Sequence, residues 1–198
     1  MKYFIVGLHA SGKQQVLDIL SQMDIKCGKL FSNIPQDMVN VYNGHNFERF
    51  ESKDIYDIFE NDAYIFIQES YQEDLDFSID KYYEGLSKYE FDNNDVFALS
   101  PDQLLTITPH AIKEDICYIW LDNTEVNRYS RYTEENRQYS FNEREIYEKR
   151  DISTFIKTIY NGNPIIYFTN EDPSRIATIL YTVIKYPELL DIYVKNFN

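Results

Sequence analysis

Apolar runs separated by glycine, proline and polar turns divide the chain into short strands and amphipathic helices. The first run, KYFIV at residues 2–6, is β-branched and aromatic and ends at Gly7, which predicts a buried strand. A loop follows, and the next segment predicts a helix because its apolar side chains share one helical face. These side chains are Val16, Ile19, Leu20 and Met23.

Four further apolar runs predict strands at residues 63–67, 95–99, 116–121 and 164–168. The last three are almost continuously apolar, which is typical of parallel strands covered on both faces. Asp172 followed by Pro173 predicts the N-terminus of a final helix, which ends before Pro187. The apolar side of this helix consists of Ile176, Ile179, Leu180, Val183 and Ile184.

Residues 33–94 interrupt this alternation of strands and helices. Asn43-Gly44 lies between two strand-like runs and predicts a hairpin, and Ser52 is placed to cap a short helix that follows it. Residues 71–94 are acidic and rich in tyrosine, with a weak helical periodicity. The predicted fold is one α/β domain, a three-layer sandwich whose parallel central sheet has helices on both faces, with an antiparallel hairpin insertion.

The net charge of −14 at pH 7 narrows the classes of partner. It argues against general affinity for nucleic acid or anionic membranes, which carry charge of the same sign. No run of about 18 apolar residues is present, and the N-terminal segment turns polar too early for a secretory signal. We therefore expect a cytoplasmic protein without a membrane segment. Cys27 and Cys117 lie far apart in apolar surroundings, which favours reduced core residues over a disulfide or metal pair.

Residues 7–14, GLHASGKQ, have the frame G-x-x-x-x-G-K of a phosphate-binding loop directly behind the first predicted strand. Gly7 and Gly12 let the backbone curl so that N–H groups point at phosphate oxygens, and Lys13 supplies a charge for the β and γ phosphates. Gln14 stands where such loops normally carry Ser or Thr, but its amide oxygen can ligate Mg²⁺ or hold a metal-bound water. The alternative is an ordinary strand-to-helix turn, which the order of strand, loop and helix disfavours.

Five of the seven arginines fall between residues 128 and 150. Phosphoryl transfer needs positive donors over the transferring group, so this cluster predicts an arginine-rich lid. The alternative is a solvated helix carrying pairs of arginine and glutamate. We expect the segment to lie outside the core and to move, because Ile146 is its only large aliphatic residue. The glutamates available for pairing are Glu134, Glu135, Glu143, Glu145 and Glu148.

The order of these motifs over most of the chain resembles that of the nucleoside monophosphate kinases, most closely guanylate kinase. GLHASGK matches the family's phosphate loop, and NGHNFERF with the following segment is similar to its hairpin, helix and strand over the monophosphate. DVFALSPDQL stands where the family has a D-x-D-x-Q strand end. CYIWLDNTEVNRYSR and the arginine segment resemble its strand, helix and lid, and IIYFTNEDPSRIATIL resembles its last strand and helix.

The resemblance implies a P-loop kinase-like domain with a core at 1–32, 95–127 and 151–198, an acceptor-binding subregion at 33–94 and a lid at 128–150. It implies ATP and Mg²⁺ as cofactors and the transfer of a phosphoryl group to a nucleoside monophosphate. The implied catalytic residues are Lys13, Arg131, Arg137 and Arg150. The implied ATP contacts are Gly7, His9, Ala10, Ser11, Gly12, Lys13, Gln14, Gln15, Arg128 and Asn170. The implied acceptor contacts are Ser32, Asn33, Gln36, Glu69 and Asp102, and Mg²⁺ would be held by Gln14 and, through water, Asp102.

The acceptor region departs from the family pattern. Guanylate kinases carry two arginines after the second strand, where FSNIPQ offers Asn33 and Gln36, and the acidic strand end retains only Asp102 behind Pro101. One alternative is therefore a catalytically inactive guanylate-kinase-like module that binds a protein or peptide. Another is a kinase of a nucleic-acid hydroxyl, which the acidic composition disfavours. The sequence indicates neither the acceptor's base and sugar nor the oligomeric state.

Overall fold

The computed structural model of the chain describes residues 1–32, 48–49, 64–73, 79–111, 115–134, 141–158 and 163–194. The strands are β1 (Lys2–Gly7), β2 (Phe31–Ser32), β3 (Glu48–Arg49), β4 (Tyr64–Glu73), β5 (Ile79–Ser87), β6 (Val96–Leu99), β7 (Ile116–Asp122) and β8 (Ile165–Thr169). The helices are α1 (Lys13–Gln22), α2 (Lys88–Asn93), α3 (Pro101–Ala111), α4 (Glu125–Glu134), α5 (Phe141–Thr158), α6 (Pro173–Lys185) and α7 (Leu190–Tyr193), with a 3₁₀ turn at Pro187–Leu189.

A parallel sheet in the order β6–β1–β7–β8 forms the centre of the fold. Every residue of β1 is buried, because the strand has a neighbour on each side and helices above and below it. The strands predicted from the apolar runs at 95–99, 116–121 and 164–168 are confirmed. The loop that follows Gly7 therefore leaves the sheet at one of its two central strands.

Helices cover both faces of this sheet. Successive side chains of β1 point to opposite faces, so Tyr3 and Ile5 join the cluster formed with α1 and α6. On the other face, the ring of Phe4 meets the edges of Phe97 and Tyr118 at 6.0 and 6.1 Å. Tyr118 in turn meets Phe155 of α5 at 5.0 Å between ring centroids. The predicted α/β architecture is confirmed at this level.

The two amphipathic helices predicted from spacing are also confirmed. In α1, Val16 and Leu20 are buried as expected, together with Leu17, which the predicted face omitted. The Asp172 side chain accepts hydrogen bonds from the backbone N–H groups of Ser174 and Arg175 and so caps α6. This helix ends at Lys185, before the proline that was expected to stop it.

Residues 28–94 form a second unit, separate from the unit of residues 1–27 and 95–198. We call them the inserted unit and the core unit. The inserted unit has a sheet in the order β3–β2–β5–β4, in which β2 and β3 are parallel and the other pairs antiparallel. Residues 64–67 of the strand expected at 63–67 belong to β4, and residue 63 lies outside the described residues. The predicted hairpin turn at Asn43-Gly44 and the helix after Ser52 lie outside the described residues.

The weak helical periodicity inferred for residues 71–94 is wrong for most of the residues that the structure describes there, 71–73 and 79–94. Residues 79–87 form β5, which pairs with β4 from Ile79 opposite Glu73 to Ser87 opposite Tyr64. Only the last part is helical, where Ser87 caps α2 by accepting a hydrogen bond from the N–H of Glu90. Tyrosine favours strands, so the cross-strand ladder overrides a faint helical pattern.

Both cysteines of the core unit are free thiols, as predicted. Burial raises the pKa of each thiol, Cys27 and Cys117, to about 12, so both stay protonated at neutral pH. Among the described residues, none of the helices has the length and apolar character needed to cross a bilayer.

The packing of α5 on the sheet gives a prediction about stability. Phe155→Ala should lower the free energy of unfolding by about 3–5 kcal/mol, because it leaves a cavity against Tyr118. The neighbouring residue Ile156 is 54% exposed. Ile156→Ala should therefore lower the free energy of unfolding by at most about 0.5 kcal/mol. Urea unfolding at pH 7 measures both. Equal losses for the two variants would contradict the orientation of α5.

Candidate functional site

The loop between β1 and α1 contains two left-handed residues, a feature of the backbone nests that bind anions. Ala10 and Gly12 have left-handed φ angles of 53° and 91°. A left-handed conformation costs a non-glycine residue such as Ala10 about 1–2 kcal/mol, and strain of this kind concentrates at functional sites. Alternation of left-handed and right-handed residues turns successive N–H groups toward one concavity. Gly12 precedes α1 and provides no capping side chain for that helix.

The two glycines of the loop are required for different reasons. A Cβ atom at Gly7 would lie 2.6 Å from the carbonyl oxygen of Leu121 and 2.8 Å from Ser11 Oγ, so β7 approaches too closely for any side chain. At Gly12 the constraint is the left-handed backbone, since the nearest atom to such a Cβ is 3.1 Å away on the Arg131 side chain.

Lys13 lies against the loop that it follows. Its Nζ donates hydrogen bonds to the carbonyl oxygens of Gly7 at 2.7 Å and Leu8 at 3.0 Å. The half-buried ammonium group therefore stays beside the loop amides, where it would neutralise an anion that they bind.

Arg131, which the sequence placed in the lid, lies against the same loop. Its NH1 donates to the carbonyl oxygen of Ala10 at 3.3 Å. The structure thus brings Lys13 and Arg131, two of the predicted catalytic cations, to one loop.

Two more residues of the loop are held by buried polar side chains. A single carboxylate oxygen of Glu148 accepts the backbone N–H of His9 at 2.6 Å and lies 2.8 Å from His9 Nδ1. Asn123 Nδ2 donates to the carbonyl oxygen of Ser11 at 2.6 Å. Three consecutive residues, His9 to Ser11, are therefore fixed by side chains from α4, α5 and the end of β7.

Arg128 joins Asn123, which contacts the loop, to Glu145 of α5. Its side chain is buried and makes a bidentate pair with Glu145, at 2.5 and 2.7 Å, while its Nε donates to the carbonyl oxygen of Asn123 at 3.1 Å. Burial raises the pKa of Glu145, but the hydrogen bonds and charges of Arg128 and Lys149 outweigh it and lower the pKa from 4.5 to about 2. The pair is therefore ionised at neutral pH.

The expectation that residues 128–150 lie outside the core is wrong for three of their charged side chains. Arg128, Glu145 and Glu148 are 2, 7 and 5% exposed, respectively. Aliphatic content failed as a guide because these polar groups are buried by pairing with each other and with the loop. Sequence reasoning counted the two glutamates only as solvated partners and did not single out Asn123. The signal for Asn123 was its position just after the carboxyl end of a buried strand, where ligand sites of α/β sheets gather.

The other predicted nucleotide contacts lie at the same edge of the core unit. Asn170, with a left-handed φ of 51°, accepts hydrogen bonds from the Thr124 N–H at 2.8 Å and from Asn127 Nδ2 at 3.3 Å. Gln14 Nε2 donates to Asp18 Oδ1 at 2.8 Å. Between α1 and the start of α6 is a cavity of about 400 Å³, lined by Gln15, Asp18, Ile19, Asp172, Pro173 and Ser174.

The remaining predicted residues are not brought to the loop by the described contacts. Arg150 pairs with Asp151 at 3.0 Å and lies over the ring of Tyr147, both on its own helix. Asp102 is exposed in the first turn of α3, where it accepts a hydrogen bond from Ser100 Oγ. Within the inserted unit, Ser32 belongs to β2 and Glu69 to β4. Three predicted site residues lie outside the described residues: Asn33, Gln36 and Arg137.

The residues predicted to hold Mg²⁺ are compatible with a metal that is bound mainly by phosphate. No group of three or more His, Cys, Asp or Glu side chains within the described ranges is arranged to hold a metal ion. Mg²⁺ at nucleotide sites takes most of its ligands from water and phosphate oxygens and needs only one or two from the protein. Gln14 lies in the first turn of α1, and its side-chain amide nitrogen is bonded to Asp18.

No protein family matches the chain, and no curated protein matches it in sequence. The resemblance to guanylate kinases therefore remains a prediction based on the motifs quoted above.

The buried ion pair predicts a pH-dependent loss of stability. Arg128→Met should destabilise the protein by about 3–5 kcal/mol at pH 7, because it leaves the Glu145 carboxylate buried with its main partner removed. The folded-state pKa of Glu145 is lowered, so the contribution of the pair is complete above pH 4.5 and declines as the pH falls toward 2. The difference between parent and variant should therefore shrink as the pH falls from 4.5 toward 2.

Urea unfolding at each pH measures this difference. Arg175→Met is the matched control, because Arg175 pairs with Glu171 on the exposed side of α6 and should contribute less than about 1 kcal/mol at any pH. A difference for Arg128→Met that is small or independent of pH would contradict the role given to the pair.

Proposed function

We propose that the core unit binds ATP with Mg²⁺ at the loop of residues 7–14 and transfers the γ-phosphoryl group to a nucleoside monophosphate or a similar small acceptor. The observation that carries the proposal is the nest backbone of this loop with two cations against it. Lys13 and Arg131 lie on the loop of a protein whose net charge is −14, so positive charge is concentrated where a polyphosphate would bind.

Each part of the loop has a role in this proposal. The amides of Gly12 and of the first turn of α1 would donate hydrogen bonds to the β-phosphate, and Lys13 would exchange its loop carbonyls for phosphate oxygens. Arg131 would stabilise the charge that develops on the transferring group. Mg²⁺ neutralises phosphate charge in reactions of this class, and Gln14 would be its protein ligand. A water held by Asp102 belongs to the proposal on the strength of the resemblance alone, since Asp102 is bonded to Ser100.

The nucleoside of ATP would lie beyond the phosphates, along the carboxyl edge of the sheet. Gln15 and Pro173 line the cavity between α1 and α6, and both lie within 4 Å of the position of a Cβ atom at Gly12. Asn170, which precedes α6, would border the adenine. The acceptor contacts Ser32, Asn33, Gln36 and Glu69 belong to the proposal on the strength of the resemblance, as does a cytoplasmic location.

The second candidate is a guanylate-kinase-like module that binds a peptide or protein without catalysis. The contacts of two arginines favour this binding module. Arg128 is hydrogen-bonded to Glu145 and Asn123, and Arg150 pairs with Asp151 and lies over Tyr147, so neither arginine points to a transferring phosphoryl group. A kinase of a nucleic-acid hydroxyl has no comparable support and is disfavoured by the acidic charge. ADP release measured across all ribo- and deoxynucleoside monophosphates separates the candidates. Turnover with one of them supports the kinase, and ATP binding without any turnover supports the module.

The phosphate role of Lys13 predicts a loss of ATP affinity. Lys13→Ala removes a charged donor and should weaken binding of a non-hydrolysable ATP analogue roughly 10- to 100-fold, with little change in unfolding free energy. Lys26→Ala, at an exposed lysine of the core unit, is the control and should bind like the parent. Calorimetric titration gives the affinities. Parent-like binding by Lys13→Ala would mean that the loop has only a structural role.

Replacing Gln14 by threonine should lower the Mg²⁺ concentration that ATP binding requires. Gln14→Thr places a hydroxyl in the first turn of α1 and removes the bond to Asp18, so less Mg²⁺ should be needed for half-maximal ATP binding. Affinity for ATP without the metal should stay unchanged. Titration of Mg²⁺ at fixed ATP checks both points. If Gln14→Thr needs as much Mg²⁺ as the parent, or more, then the metal is held by other groups.

A further inference from the structure

We propose that Asn123 is a positioning residue of the phosphate site, which aims the backbone N–H of Gly12 at the bound anion. This inference rests on the proposed binding of phosphate by the loop. It adds a residue that the loop motif does not contain and that does not itself touch the ligand. Hydrogen bonds connect Asn123 to the loop on one side and, through Arg128, to α4 and α5 on the other.

The hydrogen bond from Asn123 fixes the orientation of one peptide group. Its Nδ2 donates to the carbonyl oxygen of Ser11 at 2.6 Å. In a planar trans peptide, the C=O of one residue and the N–H of the next point in opposite directions. Holding the Ser11 oxygen toward Asn123 therefore holds the Gly12 N–H on the opposite side of the chain.

Gly12 carries a loop amide that is available for a ligand. The preceding amide, that of Ser11, already donates to the carbonyl oxygen of Leu8 at 3.2 Å. The Gly12 amide makes no hydrogen bond within the described part of the chain. Arg131 holds the carbonyl oxygen of Ala10 in the same way. That peptide group carries the N–H of Ser11, which already donates to the carbonyl oxygen of Leu8. Asn123 is thus the side chain that sets the direction of an available donor.

Asn123 is itself held rigidly. Its carbonyl oxygen accepts a hydrogen bond from Arg128 Nε at 3.1 Å, and both terminal nitrogens of Arg128 are bonded to Glu145. All three side chains are almost fully buried, where hydrogen bonds are stronger than in water and an unmade bond is costly. The chain Glu145–Arg128–Asn123–Ser11 therefore connects α5 to the loop through groups that have little freedom to rotate.

A purely structural role would give a different result from a positioning role. If Asn123 only stabilised the fold, its loss would lower the free energy of unfolding and leave the affinity of the folded protein for phosphate unchanged. If it aims the Gly12 amide, its loss weakens the binding of phosphate. The factor is then the same for ligands with and without a nucleoside, because only the phosphate contact changes.

The experiment compares the parent with Asn123→Leu, which keeps a similar volume and charge but has no donor. MgATP and inorganic triphosphate are the probes, with affinities from calorimetry. We expect both to bind roughly 10- to 100-fold more weakly, since a hydrogen bond to a charged group is lost or misdirected. Gln22→Leu, at an exposed amide near the end of α1, is the matched control and should bind as the parent does. In ¹H–¹⁵N spectra, triphosphate should shift the Gly12 amide of the parent strongly and that of Asn123→Leu weakly.

Each result decides the inference. Parent-like affinity for both probes in folded Asn123→Leu overturns it and leaves the proposed function standing. A loss for MgATP alone also overturns it, because the residue would then act on the nucleoside. If the parent binds neither probe, the proposed function and the inference fail together. Asn123→Ser, which leaves room for a water at Ser11, gives the answer when the leucine variant does not fold, and we expect it to lose less affinity.

Discussion

The buried pair between Arg128 and Glu145 is the interaction on which the candidate site depends. It allows two charged groups, each under 8% exposed, to be buried near the end of β7, and it holds Asn123 against the loop of residues 7–14. One turn further along α5, Glu148 reaches the loop directly at His9. Removing either Arg128 or Glu145 would leave the other as a buried charge without its partner, so the sequence must keep both residues or neither. This constraint ties the segment expected to be a lid to the loop that it was expected to cover.

The loop conformation follows from the position of β1. Because this strand is central in the sheet and buried on both faces, its end is confined between β6 and β7, and only glycine fits at Gly7. The chain then turns sharply into α1 through two left-handed residues, Ala10 and Gly12. The same turn that connects strand and helix thus presents backbone donors and the end of a helix dipole to one point. Phosphate binding is the chemistry that this arrangement suits best.

The sequence predicted the parts of the structure that depend on local pattern. The four core strands, α1 and the capped start of α6 followed from apolar spacing, glycine and the Asp172-Pro173 pair, which act within a few residues. The contacts of Asn123, Glu145 and Glu148 could not be predicted in that way. Each joins residues far apart in the chain, such as His9 and Glu148, and a glutamate has the same letter whether it is solvated or buried. The strand β5 was missed because its partner β4, not its own pattern, decides its conformation.

A crystal structure of the protein with Mg²⁺ and a non-hydrolysable ATP analogue would show whether the loop of residues 7–14 binds phosphate. We expect β-phosphate oxygens within about 3 Å of the amides of Gly12 and the first turn of α1. We also expect Lys13 Nζ to move from the carbonyl oxygens of Gly7 and Leu8 to the phosphates, while Asn123 stays on Ser11. An analogue bound away from the loop, with Lys13 still bonded to those carbonyls, would contradict phosphate binding by this loop.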